Sequence, residues 1–255
     1  MKVTWQLLLP GIPITSTRGA LGWCSVTLVR MEGKIILVDT GSYGDRKLLL
    51  TRLREVQIHP DEVDDVFLTH FHFDHVLNFD LFKNAVFHLS EKEIHYVTSG
   101  KCQEVGDPYV PVVIYRLLEP QIKPFSGEVA ILPGLRSLPL PGHTPGMTGL
   151  LLEKDRVLIA GDGIKNAREF LNRQAPPTFA GDEDALRSYC RAAEEALIIV
   201  PGHDNPFRLP IHGEVEYLNH FELKLTFSKN PSAEPQIIQL LPDSPGDPQA
   251  GSSRG

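Results

Sequence analysis

The sequence predicts an α/β protein in which two β-sheets pack together with helices on the outside. Two strand-rich stretches, from about residue 24 to 89 and from about 129 to 200, are each accompanied by helical segments. No repeat at a solenoid period is present. The 255 residues, 42% hydrophobic and 22% charged, suffice for a sizeable core and contain no apolar run near the roughly 20 residues that cross a bilayer.

Cys24 to Arg30 and Lys34 to Asp39 read as strands rich in Val, Leu and Ile, joined through Met31-Glu32-Gly33. Asp45 to Val56 follows as a helix, with Leu48, Leu49, Leu50 and Leu53 at helical spacing after Gly41 and Gly44. Val66 to Thr69 is a short buried strand and Ala85 to Leu89 another. Ser90 and Glu93 form a capping box for a helix running toward Ser99. Residues 100–124 hold Pro108, Pro111, Pro120 and Pro124, which predicts an irregular or partly helical insertion outside the sheet core. Lying between motifs, this insertion is a candidate lid, with Val110, Val113, Ile114 and Leu117 as its wall. Strands resume at Val129 to Leu132, Arg136 to Leu140, Gly149 to Glu153, Val157 to Ala160 and Leu197 to Val200. A helix over Asp182 to Ala196 places Leu186, Tyr189, Ala193 and Ala196 on one face. One domain over 1–229 is expected, with a flexible tail over 230–255, where Pro, Ser, Gly and Gln accumulate.

The charge of -7, from 25 basic and 32 acidic residues, argues against a surface built to grip a nucleic-acid backbone. Cys24, Cys102 and Cys190 are odd in number, far apart and in no CxxC pair, so neither a disulfide framework nor a zinc ribbon is indicated. The Leu7 to Leu9 run is too short for a secretory signal and lacks its flanks, so the expected location is cytoplasmic, with no membrane partner.

Chemistry concentrates in Thr69-His70-Phe71-His72-Phe73-Asp74-His75, three imidazoles and a carboxylate directly after a strand. Alternate residues of an extended segment point to one side, and a following turn brings Asp74 and His75 around; imidazole and carboxylate donors suit zinc and other first-row metals. Three more strand ends place a metal-capable side chain beside glycine: Pro141-Gly142-His143, Gly161-Asp162-Gly163 and Pro201-Gly202-His203. Each is weak alone. Together they deliver His, Asp and His to the rim of a sheet. His59, His88, His95, His212 and His220 have no partner spacing and read as surface or core residues. Phe71, Phe73, Phe79 and Phe82 read as core or as a substrate wall, and Trp5 and Trp23 as core or rim.

From about Gly22 to Phe207 the sequence resembles the metallo-β-lactamase-fold metallohydrolases, in their short glyoxalase II or lactonase-like form: HxHxDH at His70 to His75, then His143, Asp162 and His203 in order, with Leu37-Val38-Asp39-Thr40-Gly41 also matching. The resemblance implies an αββα sandwich of two mixed sheets flanked by helices, with the site on one edge. It implies two divalent metal ions, zinc foremost with iron or manganese as alternatives: His70, His72 and His143 on the first, Asp74, His75 and His203 on the second, and Asp162 bridging. Asp39 would hydrogen bond a ligating histidine. The implied nucleophile is a hydroxide shared by the two metals, with Asp74 and Asp162 as the catalytic carboxylates.

Within this family, Asp162 stands where true β-lactamases carry Cys or Ser. The stretch after His203 is short for the helical domain of glyoxalase II, and Lys165 replaces the Tyr that acyl-homoserine lactonases place three residues after the bridging Asp. The long arm or inserted domain of the large nucleases does not fit. The resulting expectation is hydrolysis of a small ester, thioester or lactone, with Lys165 and Arg168 as substrate-binding residues. A mononuclear-iron dioxygenase and a small phosphodiesterase or nuclease are the alternatives, and the expected partner is a small molecule, not nucleic acid.

Overall fold

The computed structural model describes residues 2–17, 19–210 and 215–219, with 15, 16, 20, 223–227 and 236–240 described by backbone alone. Two mixed sheets form, and in each the strands lie side by side in chain order. The first is β1 (Thr4–Leu9), β2 (Val26–Met31), β3 (Lys34–Val38), β4 (Asp65–Phe67), β5 (Val86–Ser90) and β6 (Ile122–Phe125). β1, β2 and β3 pair antiparallel, and β3 to β6 pair parallel. The second sheet holds β7 (Ala130–Leu132), β8 (Leu135–Pro139), β9 (Thr148–Leu152), β10 (Val157–Gly161), β11 (Ile198–Pro201), β12 (Phe207–Arg208) and β13 (Glu216–Tyr217). Only β10 and β11 run parallel there.

Helices α1 (Arg46–Glu55), α2 (Phe73–Val76), α3 (Glu91–Thr98), α4 (Lys101–Glu104) and α5 (Val112–Leu118) follow strands of the first sheet; α6 (Ala167–Leu171) and α7 (Asp182–Glu195) follow those of the second. Three apolar clusters build four layers. Leu37, Val66 and Phe87 meet Leu49 and Leu53 of α1 and Leu118 of α5 on the outer face of the first sheet. Their strand neighbours Val38 and Phe67 point the other way, into the space shared with Leu150, Ile159 and Val200. Leu151, Leu158 and Ile199 pack on Tyr189 and Ala192 of α7. Both faces of each central strand are buried, which is why these strands read as unbroken apolar runs.

Departures from the sequence reading have local causes. Thr4–Leu9 is a strand, and so is Ile122–Phe125 inside the stretch read as lying outside the sheet core; β6 is an edge strand, where Pro124 is tolerated. The remainder of that stretch forms α4 and α5, whose Cys102, Tyr115 and Leu118 are buried. In α7 the buried face is Ala185, Ser188, Tyr189 and Ala192; of the expected face Tyr189 and Ala196 are buried and Leu186 packs on the core, while Ala193 is exposed. Ser90 caps α3 by accepting from Glu93 N–H, but the Glu93 carboxylate does not return to Ser90. Of the expected tail, residues 236–240 pair antiparallel with 223–227, and the others lie outside the described residues, as do His212 and His220. Cys24, Cys102 and Cys190 are free thiols. Among the described residues no helix is long and apolar enough to cross a membrane.

Candidate metal centre

The seven metal-capable side chains gather at one edge of the sandwich because each follows the carboxyl end of a strand or the loop beside one. After β4 the chain bends at Thr69 and runs without helix to His72; Phe71 enters the core, and the His70 and His72 rings lie 4.5 Å apart between centroids. α2 then turns Asp74 and His75 into the same space. Thr40 N–H and Oγ1–H both donate to His75 O, at 2.7 and 3.1 Å, tying this turn to the end of β3. From the second sheet, His143 lies between β8 and β9, Asp162 follows β10 and His203 follows β11. Gly202 is a close approach: a Cβ there would lie 2.0 Å from Asp162 Oδ1.

Three groups bring one donor atom from each member within 4.8 Å of one another: His70, His72 and His143; His70, His75 and Asp162; and Asp74, His75 and His203. Asp162 stands between them, Oδ2 at 3.4 Å from His143 Nε2 and Oδ1 at 3.3 Å from both His75 Nε2 and His203 Nε2. Asp74 Oδ2 is 3.3 Å from His203 Nε2. The outward nitrogens of three rings are engaged. His72 Nε2–H donates to Asp107 Oδ2 at 2.8 Å, His143 Nδ1–H to Pro177 O at 2.8 Å, and His75 Nδ1–H to Asp39 Oδ2 at 2.7 Å. That leaves lone pairs pointing inward. His72 Nδ1 and His143 Nε2 face each other at 3.0 Å, and His70 Nε2, His75 Nε2 and Asp162 Oδ1 are buried with no hydrogen-bond partner among the described residues. Buried lone pairs aimed at one another are costly unless a cation lies between them, so the donor set fits divalent metal.

The electrostatics agree. Burial, reinforced by neighbouring imidazoles, drives His70 well below its ordinary value, and burial takes His143 to about 3. Burial also opposes the charged forms of His75 and His203, yet neighbouring groups reverse it and raise both rings, Cys24 and then Asp39, Asp74 and Asp162 acting on His75, and Asp162 on His203. Asp74 and Asp162 stay below the usual carboxylate range against the same burial, held there by His75 and His203 and, for Asp162, by Lys165. One half of the cluster is a nest of neutral imidazoles, and the other a field that attracts positive charge.

A cavity of about 340 Å³ opens over the cluster. Lys165 lines it with Nζ 3.2 Å from Asp162 Oδ2, and Asp162 raises the lysine's pKa against the effect of burial. Arg168 is exposed and is not among the lining residues. Phe73 lines the cavity, whereas Phe71, Phe79 and Phe82 are core. Trp5 packs against the inter-sheet core. The wall expected from 100–124 is not the one expected: Val113 and Leu117 are 70% and 61% exposed, Val110 and Ile114 pack on the core, and Tyr109 faces the cavity instead. Ile12, Pro13 and Ile14 also line it, from a segment that carried no sequence signal. Asp107, Tyr109 and Glu93 were also missed. The first two form Asp107-Pro108-Tyr109, a polar and aromatic pair in the proline-rich insertion, and that was the available signal.

The metallo-beta-lactamase superfamily matches residues 21–203, a span that takes in all seven side chains. Metallo-beta-lactamase domain-containing protein 1 of Xenopus laevis is 31% identical over 198 residues, 75% of each chain. An N-acyl homoserine lactonase of a Bacillus species is 30% identical over 184 residues, 68% of this chain and 67% of its own. Among solved structures, a B. thuringiensis AiiA mutant with N-decanoyl-L-homoserine bound at the active site superposes with a TM-score of 0.58 at 25% identity, covering 71% of this chain and 80% of its own. With two mixed sheets between helices, a donor cluster on the sheet edge and this extent of match, the chain belongs to the metallo-beta-lactamase superfamily.

Proposed function

We propose that the protein is a metal-dependent hydrolase holding two divalent cations, zinc by preference with iron or manganese as alternatives, and that it opens a small ester, thioester or lactone. The observation that carries this is the inward convergence of donors from three connections, those carrying His75, His143 and His203, onto one buried carboxylate, Asp162. His70 Nε2, His72 Nδ1 and His143 Nε2 would hold one cation, Asp74, His75 and His203 the other, and Asp162 would span both. When bound, the pair would acidify a shared water and polarise the substrate's carbonyl oxygen. Asp39 and Asp107 fix the tautomers of His75 and His72. Asp74, at the cavity lining, accepts the proton released by the attacking water and returns it to the leaving oxygen or sulfur. Lys165 meets a negative group of the substrate; Arg168, outside the lining, contributes at most at long range.

The cavity volume supports a small molecule, and the net charge of -7 supports exclusion of long polyanions. Matching relatives named as N-acyl homoserine lactonases support the lactone class. Free thiols at Cys24, Cys102 and Cys190 suit the reducing cytoplasm, where we place the protein.

The test is metal analysis of protein purified without chelator, then a panel of ester, thioester, lactone and phosphodiester substrates. The expected result is about two transition-metal ions per chain and turnover of a carbonyl substrate. A well-filled single-iron site, or efficient RNA or DNA cleavage with an inactive carbonyl panel, overturns the proposal.

A further inference from the structure

Glu93 reads in the sequence as half of a capping box, and its carboxylate is used elsewhere. The residue is completely buried in the first turn of α3 and its two oxygens serve two different loops. Oε1 accepts Phe71 N–H at 2.9 Å, between His70 and His72. Oε2 accepts Thr144 Oγ1–H at 2.8 Å and Gly146 N–H at 3.1 Å, in the loop that carries His143. Ser90, the cap of the same helix, donates Oγ–H to Gly146 O at 2.7 Å. Gly146 is pressed so closely on α3 that a Cβ there would stand 2.1 Å from Glu93 N.

These contacts join the two loops whose imidazoles, His72 and His143, meet at 3.0 Å. The three partners of the carboxylate are neutral donors, an arrangement that buries a charge at a cost an apolar side chain would avoid. What an apolar side chain, or an amide, lacks is acceptor capacity on both tips. Glutamine would turn N–H groups toward one loop, and aspartate is a methylene too short to span both.

We propose that Glu93 is a positioning residue that sets the separation of His72 and His143, and through it the affinity of the cation site those rings share. The inference rests on reading the cluster as a metal centre. Its test compares full-length wild type, E93Q and, as a control on the exposed side of the same helix, E91Q. Three quantities are read: Zn(II) affinity by chelator competition, the visible spectrum of the Co(II)-loaded protein, and Tm of the metal-free protein. E93Q is expected to weaken Zn(II) binding on the order of 10- to 100-fold and to alter the Co(II) spectrum, with at most a modest fall in metal-free Tm from the buried donors left facing one another. E91Q should match wild type throughout. An E93Q affinity within twofold of wild type with an unchanged spectrum overturns the proposal, whatever its Tm. Should E93Q fail to fold, T144V removes one partner of Oε2 with little change of shape, and a several-fold loss of affinity supports the same conclusion; an unchanged affinity in T144V then overturns it. A wild-type protein that binds neither Zn(II) nor Co(II) overturns the metal reading itself, a result distinct from any behaviour of E93Q.

Discussion

His72 and His203 lie in different donor groups, one with His70 and His143 and the other with Asp74 and His75. On the proposed two-cation reading, replacing either by Ala would remove one donor from a different cation. Each change should therefore cut turnover on the order of a hundredfold or more, measured as kcat with the fold checked by circular dichroism. Near-native turnover in His203→Ala would show that the second cation is dispensable. These donors were legible in the sequence because ligands cluster: four fall within six positions, and three stand beside glycine at strand ends. The residues that hold the donors in place were not. Glu93 has the spacing of a helix cap, and only the folded chain shows its carboxylate spent on Phe71, Thr144 and Gly146. Asp107 lies 35 positions from the His72 it orients, with no local pattern to join them.

At the scale of elements, strands buried on both faces were readable as apolar runs, and those half-covered or at an edge were not. Thr4–Leu9 alternates exposed or half-buried positions before its buried end, and Pro124 disguises the edge strand it occupies. On α7 the expected Leu186, Tyr189 and Ala196 meet the core, whereas Ala192 is buried in place of Ala193, because adjacent alanines blur the edge of the apolar stripe. The segment before α5 reaches the site through Tyr109, whose carbonyl accepts Phe73 N–H at 3.0 Å and whose ring lies 5.6 Å from that of His72. Ile12 and Ile14 line the same cavity, so its lining joins an aromatic ring to aliphatic side chains. Tyr109→Ala is expected to raise KM several-fold for substrates with a bulky apolar group, with a smaller change for acetyl-sized ones and a lesser effect on kcat. Steady-state kinetics on an acyl-length series measures this, and an equal effect at every length would make Tyr109 a support for His72 alone.

Across the whole molecule the site doubles as a joint. Each of the three donor groups takes members from both sheets' connections: His143, Asp162 and His203 from the second half, the remainder from the first. A ligand bound there should stabilise the entire fold by mass action. At a hundredfold excess over Kd the gain is about 2.7 kcal/mol, or roughly 5 to 10 °C in Tm for a chain of this size. Chelator should lower Tm by that order and added Zn(II) restore it in a thermal scan; an unmoved Tm would contradict cation binding by the folded state. The link between β6 and β7, residues 126–129, is exposed throughout. A chain opened at that turn becomes two polypeptides, neither owning a complete donor group, so fragment complementation would be metal-gated: the cation would act as the rivet of a two-piece protein, and reassembly would report its concentration.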